Sequence, residues 1–196
     1  MKIRKRGVRL MMLTLFSVLI TSISVQAQNY QATASNSTIS VDGTSNIHDW
    51  DMKAEKFTAK ATIVETADLP EIKALSLELE AESLKSGKSG MDKNTYSALV
   101  TKNHKKITFT YTKTNIINKP ANNTYSVVVQ GMLEIAGTKK STDLSFVLVK
   151  TNGVYTLKGS KPINMPEYKV DPPTAMLGTI KTGADVTINY NLNLKQ

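Results

Sequence analysis

The chain has 196 residues, a formal net charge of +9 at pH 7 and no cysteine. Without cysteine, disulfides and thiolate metal sites are excluded, so the fold must rest on apolar burial, for which this length suffices in one domain. Five of the 25 basic residues precede residue 10, and the other 20, all lysine, leave a charge of only +4 for residues 28–196.

The first 27 residues have the pattern of a secretory signal peptide. Basic residues up to Arg9 precede an apolar stretch from Leu10 to Ile23, and Val25-Gln26-Ala27 carries small residues where a leader peptidase cuts. That stretch is short for a membrane anchor. We expect cleavage near Ala27, a mature domain at residues 28–196, and a periplasmic or secreted location.

The charges of the mature domain do not indicate a nucleic-acid partner. Such sites use arginine forks and clustered aromatic side chains, whereas this domain has no arginine and its lysines are dispersed. Lysines at alternate strand positions, such as Lys56 and Lys60, are typical of a solvated outer face. We expect at most transient contact with a membrane surface, and a homodimer is an open alternative.

After a polar lead-in at residues 29–36 and a short strand over 37–41, the stretch from Gly43 to Ile63 organises the domain. Its apolar residues stand at even positions up to Ala54 and at odd positions from Phe57, so each half alternates as a strand does. A β-bulge near Glu55 and Lys56 would absorb the shift. A long, bent, amphipathic strand suits a sheet that closes on itself.

The later elements complete an all-β domain. Alternation predicts a strand over 72–84, a helix follows over 91–103, and five more strands begin after residue 105. Asn152-Gly153 is a strong hairpin signal. The proline-rich apolar loop over 161–181 is predicted to be a lid, with a helical turn at 173–177. The sequence therefore predicts an eight-stranded antiparallel β-barrel with one short helix and an apolar lid loop.

The inward-facing positions are mostly small, which leaves room for one ligand inside such a barrel. The small inward residues are Ala54, Ala59, Ala61, Ala81, Val127, Val129 and Gly131.

His48 is the one residue that suggests catalysis or metal binding. Alternation places Asp49 and Asp51 on the face opposite His48, and the chain has only two histidines. Ser45, three residues earlier, is too common a neighbour to indicate a triad. A structural role for His48 is favoured over an acid–base or metal role, so we expect no catalytic residue and no metal site.

Four segments in order resemble the YceI-like family, and the resemblance spans residues 38–194. They are Gly43-Thr44-Ser45-Asn46-Ile47-His48-Asp49-Trp50, Glu82-Ser83-Leu84 with Met91-Asp92 after a glycine-rich turn, Lys106-Ile107-Thr108-Phe109, and the run from Gly131 to Lys139. The resemblance implies a lipocalin-like barrel that holds a polyisoprenoid or quinone-like lipid without turnover. Members commonly have Arg-Asp where this chain has Met91-Asp92. If that arginine holds a head group in the family, this chain would use Lys88, Lys93 or a hydroxyl instead, or would bind a different ligand.

The expected function is that of an exported protein that binds an isoprenoid or similar long-chain lipid. The main alternative is a structural or protein-interaction β domain with a closed core. An esterase-like enzyme is the least favoured of the three hypotheses. For Met91, Met176 and Leu177, a position in a lid that touches ligand and plain core packing are equally good explanations. For Tyr111 and Tyr190, core packing is a better explanation than contact with the head group of a ligand. The candidate ligand-binding residues are Leu77, Leu79, Met91, Leu99, Phe109, Tyr111, Val127, Val129, Phe146, Met176, Leu177, Ile188 and Tyr190.

Overall fold

The computed structural model describes residues 26–66 and 68–196. Nearly all of the predicted signal peptide lies outside the described residues, so cleavage near Ala27 stays a prediction. No helix within the described ranges is long and apolar enough to cross a membrane.

The strands are β1 Ala27–Thr33, β2 Thr38–Ser45, β3 Trp50–Ala54, β4 Phe57–Glu65, β5 Pro70–Glu80, β6 Leu84–Lys85, β7 Lys106–Ala121, β8 Thr124–Ile135, β9 Thr138–Thr151, β10 Val154–Asn164, β11 Thr174–Ala175 and β12 Ile180–Leu194, and the α-helix α1 spans Ser89–Ala98.

The strands form one antiparallel sheet in the order β1-β4-β5-β7-β8-β9-β10-β12-β2-β3-β6, with β11 paired to β12. The sheet closes where β1 meets the end of β12. There the Gln31 N–H donates to the Lys195 carbonyl at 2.7 Å, and the Lys195 N–H donates to the Gln31 carbonyl at 2.9 Å. These two bonds complete a ring of eight strands, which confirms the predicted barrel.

The described residues form twelve strands rather than the predicted eight, because two long strands are divided and because β1 and β11 were not predicted as strands. The predicted organising strand breaks into β3 and β4 at Glu55 and Lys56, where the burial pattern changes phase as expected. The backbone of Glu55 donates to the Ser83 carbonyl, and the Ser83 hydroxyl donates to the Lys56 carbonyl. A short 3-10 helix at Ala81–Ser83 therefore fills the bend, and the predicted strand over 72–84 ends at Glu80 instead.

Three local predictions were wrong. Residues 29–36 are not a loose lead-in, because β1 pairs with β4 and buries Tyr30 and Ala32. The helix occupies 89–98 rather than 91–103, and Val100, at φ 50°, lies in the turns that follow it. The segment 173–177 is not a helical turn, because β11 pairs with β12 and the chain reverses through residues 176–178.

The two ends of the barrel differ in packing. At the end where Tyr30 and Leu194 lie, the Tyr30 and Tyr155 rings meet edge to face at 5.2 Å, and Leu148 and Leu194 are almost fully buried. The opposite end carries α1, the turn between β2 and β3, and the segment 165–180. The candidate site is at that opposite end.

Candidate functional site

An apolar cavity of about 810 Å³ opens at the end of the barrel covered by α1. Its walls come from inward side chains of β2, β3, β7, β8, β10 and β12, such as Met52, Ile107 and Ile163. Its cover comes from α1 and from the segment 165–180. The volume lies in the range of small-molecule binding sites, and the enclosed apolar surface suits an apolar ligand.

The charged groups around this cavity are few and of one sign. Among the described residues that line it, no aspartate or glutamate occurs, and the only lysine is Lys88. The polar remainder consists of hydroxyls, amides and His48, for example Asn94 and Thr95. The cavity can therefore solvate one anionic or neutral polar head near Lys88 while its walls hold an apolar chain.

Helix α1 is held in place by polar contacts on the side away from the cavity. The Tyr96 hydroxyl lies 2.8 Å from the Glu82 carbonyl and 2.9 Å from the Leu84 carbonyl, and the Lys85 ammonium donates to the same hydroxyl at 2.6 Å. Asp92 accepts bonds from the Ser86 backbone and hydroxyl. Burial acts to raise the pKa of Asp92, but these bonds outweigh it and lower that pKa. Met91, Thr95 and Ala98 are thereby presented to the cavity.

His48 and Ser45 are joined through the backbone atoms of His48 and not through its imidazole ring. The Ser45 hydroxyl donates to the His48 carbonyl at 2.7 Å. The His48 Nδ1 lies 2.8 Å from the Asp49 carbonyl, which can only accept, so Nδ1 carries a proton and donates it to that carbonyl. Within 26–66 and 68–196, no group of three or more His, Cys, Asp or Glu side chains could hold a metal ion.

Trp50 lies at the edge of the cavity, against Gly43 of the neighbouring strand. A Cβ at Gly43 would stand 2.2 Å from the Trp50 ring, so glycine is what lets the indole lie flat across β2. The indole N–H donates to the Thr44 carbonyl at 2.9 Å. Because Trp50 is the single tryptophan of the chain and lines the cavity, its fluorescence can report occupancy.

An open polar groove of about 1200 Å³ adjoins the apolar cavity and shares Trp50, Ile163, Tyr168 and Val186 with it. Asp42, Asp49, Asp51 and Asp185 line it, so the aspartates near His48 face this groove rather than the apolar cavity. A groove this polar does not suit an apolar ligand, and we therefore take the smaller apolar cavity as the candidate site.

The structure separates the predicted ligand residues into three groups. The residues on the apolar cavity are Met91, Leu99, Met176, Leu177 and Ile188. A separate void of about 50 Å³ deeper in the barrel is lined by Leu77, Phe109, Phe146 and Tyr190, and also by Ile188. Leu79, Tyr111, Val127 and Val129 line neither space. Ile188 alone among the predicted residues touches both spaces, so it stands between the cavity and the packed half.

The two tyrosines that were considered for a ligand head, and judged better suited to core packing, have hydrogen-bond partners within the protein. The Tyr111 hydroxyl donates to the Ile72 carbonyl at 2.9 Å, and the Tyr190 hydroxyl donates to the Ser145 carbonyl at 3.1 Å. Burial raises the pKa of Tyr190 to about 12. Both hydroxyls are thus used to fix the wall.

The sequence prediction also missed part of the lining. Val41, Met52, Ile135 and Val186 line the cavity from β2, β3, β8 and β12. Each stands at an inward position of a predicted strand, so the alternation signal was present, but nothing in it marked these positions as nearer the open end. Within the lid, Met165 and Tyr168 were visible as apolar residues of the proline-rich loop.

Truncation of Ile188 is expected to lengthen the cavity. In Ile188→Ala the cavity and the deeper void should join, so bound chains should become longer, at a cost of about 2 kcal/mol in unfolding free energy. Mass spectrometry of bound ligand and urea denaturation measure the two effects. Ile107→Ala is the control, because Ile107 lines the cavity but not the void. Unchanged chain length in Ile188→Ala alongside normal occupancy would contradict this arrangement.

Comparison with known proteins shows the same architecture. A YceI-like domain matches residues 30–194. Burkholderia cenocepacia BcnA has a TM-score of 0.66 at 16% identity, covering 84% of this chain and 99% of that one. A polyisoprenoid binding domain from Saccharophagus degradans has a TM-score of 0.66 at 10% identity, covering 87% and 99%. The Campylobacter jejuni YceI protein has a TM-score of 0.53 at 18% identity, covering 73% and 84%.

No curated protein sequence shows significant similarity to the chain. At identities this low, the likeness to the three solved structures concerns the fold.

Proposed function

This chain belongs to the YceI-like family, and its barrel contains an apolar cavity that opens at one end. We therefore propose that it is an exported protein that binds an isoprenoid or similar long-chain lipid. The cavity is the observation that carries the proposal. Each buried methylene contributes about 0.8 kcal/mol, so a chain that fills the apolar walls gains affinity without many polar contacts. The polyisoprenoid binding domain named for the Saccharophagus protein supports the same ligand class.

Binding without chemical turnover is part of the proposal. The Ser45 hydroxyl is directed to the His48 carbonyl, and the His48 ring is held through its Nδ1 by the Asp49 carbonyl. Neither arrangement activates a nucleophile, because a serine nucleophile needs its hydroxyl bonded to a base. An ester hydrolysis assay on the purified protein and on His48→Ala tests this point, and activity lost in the variant would contradict it.

Lipid extraction tests the binding function. The full chain, with its leader, is produced in a bacterial host, the protein is recovered from the periplasm or medium without detergent, and an organic extract is analysed by mass spectrometry. We expect a long-chain lipid in near-stoichiometric amount. Recovery from the cytoplasm would contradict export. Absence of lipid, together with no change in Trp50 fluorescence on addition of long-chain lipids, would contradict binding and favour a closed structural domain.

Lys88 is expected to set the preference for the ligand head group. In Lys88→Glu, affinity for a long-chain fatty acid should fall about ten-fold, since an ion pair near 4 Å in water is worth about 1 kcal/mol and the reversal adds repulsion. Affinity for the fatty alcohol of equal chain length should change little. Both are measured through Trp50 fluorescence.

Lys93→Glu is the matched control for this prediction. Lys93 lies in α1, which begins directly after Lys88, and its side chain is exposed and outside the cavity lining. The change in net charge is identical. Equal losses in the two variants would mean that overall charge rather than Lys88 governs the preference.

A further inference from the structure

We propose that the mouth of the cavity is a membrane-docking tip, in which Ile47, Met176 and Leu177 enter the surface of an anionic lipid bilayer. The three side chains are 57%, 73% and 108% exposed, respectively, and all three also line the cavity. An apolar side chain at the rim of a binding cavity gains nothing from such exposure to water. The inference goes beyond cargo binding, because it concerns where the open end of the barrel is placed.

The side chain of Asn46 joins the two loops that carry these residues. Its amide donates to the Thr179 carbonyl at 2.9 Å, and its oxygen accepts the Lys181 backbone N–H at 2.9 Å. The Asn46 backbone N–H also donates to the Lys181 carbonyl at 3.1 Å. The turn carrying Ile47 and the hairpin carrying Leu177 are therefore held together as one tip.

The backbone at the hairpin tip is strained at two exposed apolar residues. Met176 and Leu177 have φ values of 50° and 57°, a left-handed conformation that side chains other than glycine, asparagine and aspartate rarely adopt. Because both side chains are exposed, packing within the protein does not compensate this strain. Strain retained at exposed apolar residues points to a contact outside the chain.

The charges around the tip suit an anionic surface. Lys88 lines the same cavity as the three tip residues, and Lys181 lies at the base of the hairpin, opposite Thr174. No acidic side chain lines the cavity among the described residues, and Asp49 lines the adjoining polar groove. Lysines beside exposed apolar residues are the pattern of proteins that bind the interface of an anionic membrane.

A bilayer fits this tip better than a second copy of the chain does. A stable protein interface buries about 800 Å² on each partner, which three side chains on a protruding hairpin do not supply. A bilayer needs no complementary surface. With the tip in the headgroup region, the cavity would open directly onto the acyl chains, so a lipid could pass without crossing water.

Vesicle co-sedimentation tests the proposal. The protein is mixed with vesicles of phosphatidylcholine alone or with a minor fraction of phosphatidylglycerol, and the bound fraction is measured. We expect binding to the anionic vesicles that falls at least ten-fold in Met176→Asn/Leu177→Asn. Asparagine tolerates the left-handed conformation, so this variant should remain folded. Ile116→Thr/Val147→Thr, on exposed apolar residues of the barrel wall, should bind as the original does.

Three outcomes would overturn the proposal. They are absence of vesicle binding, equal binding by the tip variant, and a dimer in size-exclusion chromatography that the tip variant abolishes, which would identify a second copy as the occupant. Bound lipid is measured separately by extraction. Vesicle binding by a protein that holds no lipid would contradict the cargo proposal while upholding the docking tip.

Discussion

Replacement of Gly131 by alanine is expected to lower the free energy of unfolding by about 3 kcal/mol. A Cβ at Gly131 would stand 2.3 Å from the Phe109 ring and 2.5 Å from the Thr110 carbonyl oxygen. The backbone cannot move away, because Gly131 pairs with Tyr111 on one side and Thr142 on the other. Overpacking of a closed core costs about 1–3 kcal/mol, and the clash with backbone places this site at the upper end.

Urea denaturation followed by circular dichroism measures the effect, with Gly90→Ala as the control. Gly90 lies in α1, and a Cβ there would meet no heavy atom within 4 Å. The same substitution should therefore stabilise the protein slightly, by about 0.5–1 kcal/mol, because alanine favours a helix. If both variants unfold at the same urea concentration as the original protein, the close approach of Phe109 to β8 is wrong.

Gly131 belongs to a set of glycines that receive an aromatic ring from a neighbouring strand. Gly43 receives Trp50, and Gly159 receives Tyr190, each from its register partner. A ring laid over a glycine covers backbone that lacks a side chain and allows the sheet to curve. These pairs explain how a sheet with few large aromatic residues closes into a barrel.

The strands were predictable from sequence where one face is buried along the whole strand. In β8 the residues Tyr125, Val127, Val129 and Leu133 share one phase and are all buried. The prediction failed at β1, where only Tyr30 and Ala32 are large or apolar enough to mark a face. Their burial depends on pairing with β4, a partner 30 residues away, which local alternation does not reveal.

The candidate site was harder to predict than the fold. The alternation of apolar residues shows which side chains face the barrel interior, but not how far along the barrel each of them lies. On β8, Val129 faces inward in the packed half while Ile135 lines the cavity, although both are in phase. On β7, Phe109 borders the deep void and Ile107 the cavity. Depth along a barrel depends on strand tilt and register shift, which a single sequence does not specify. The residues of α1 and the lid were identified more readily, because a segment that covers a barrel lies at one end and its depth does not have to be predicted.

Filling the cavity from α1 is expected to remove bound lipid almost completely. Thr95 and Ala98 are one turn apart on the face of α1 that lines the cavity. In Thr95→Trp/Ala98→Trp two indoles would occupy the space above the barrel interior. Because every displaced methylene of the ligand forfeits about 0.8 kcal/mol, loss of even two or three lowers affinity more than ten-fold.

The matched control carries the same two substitutions on the outer face of the same helix. Lys93 and Ser97 are exposed and do not line the cavity, so Lys93→Trp/Ser97→Trp should retain lipid. Both proteins are purified without detergent, their thermal stability is compared, and the lipid in each extract is quantified per mole of protein. Full lipid occupancy in a folded Thr95→Trp/Ala98→Trp protein would place the ligand elsewhere and remove the reason for assigning the cavity to it.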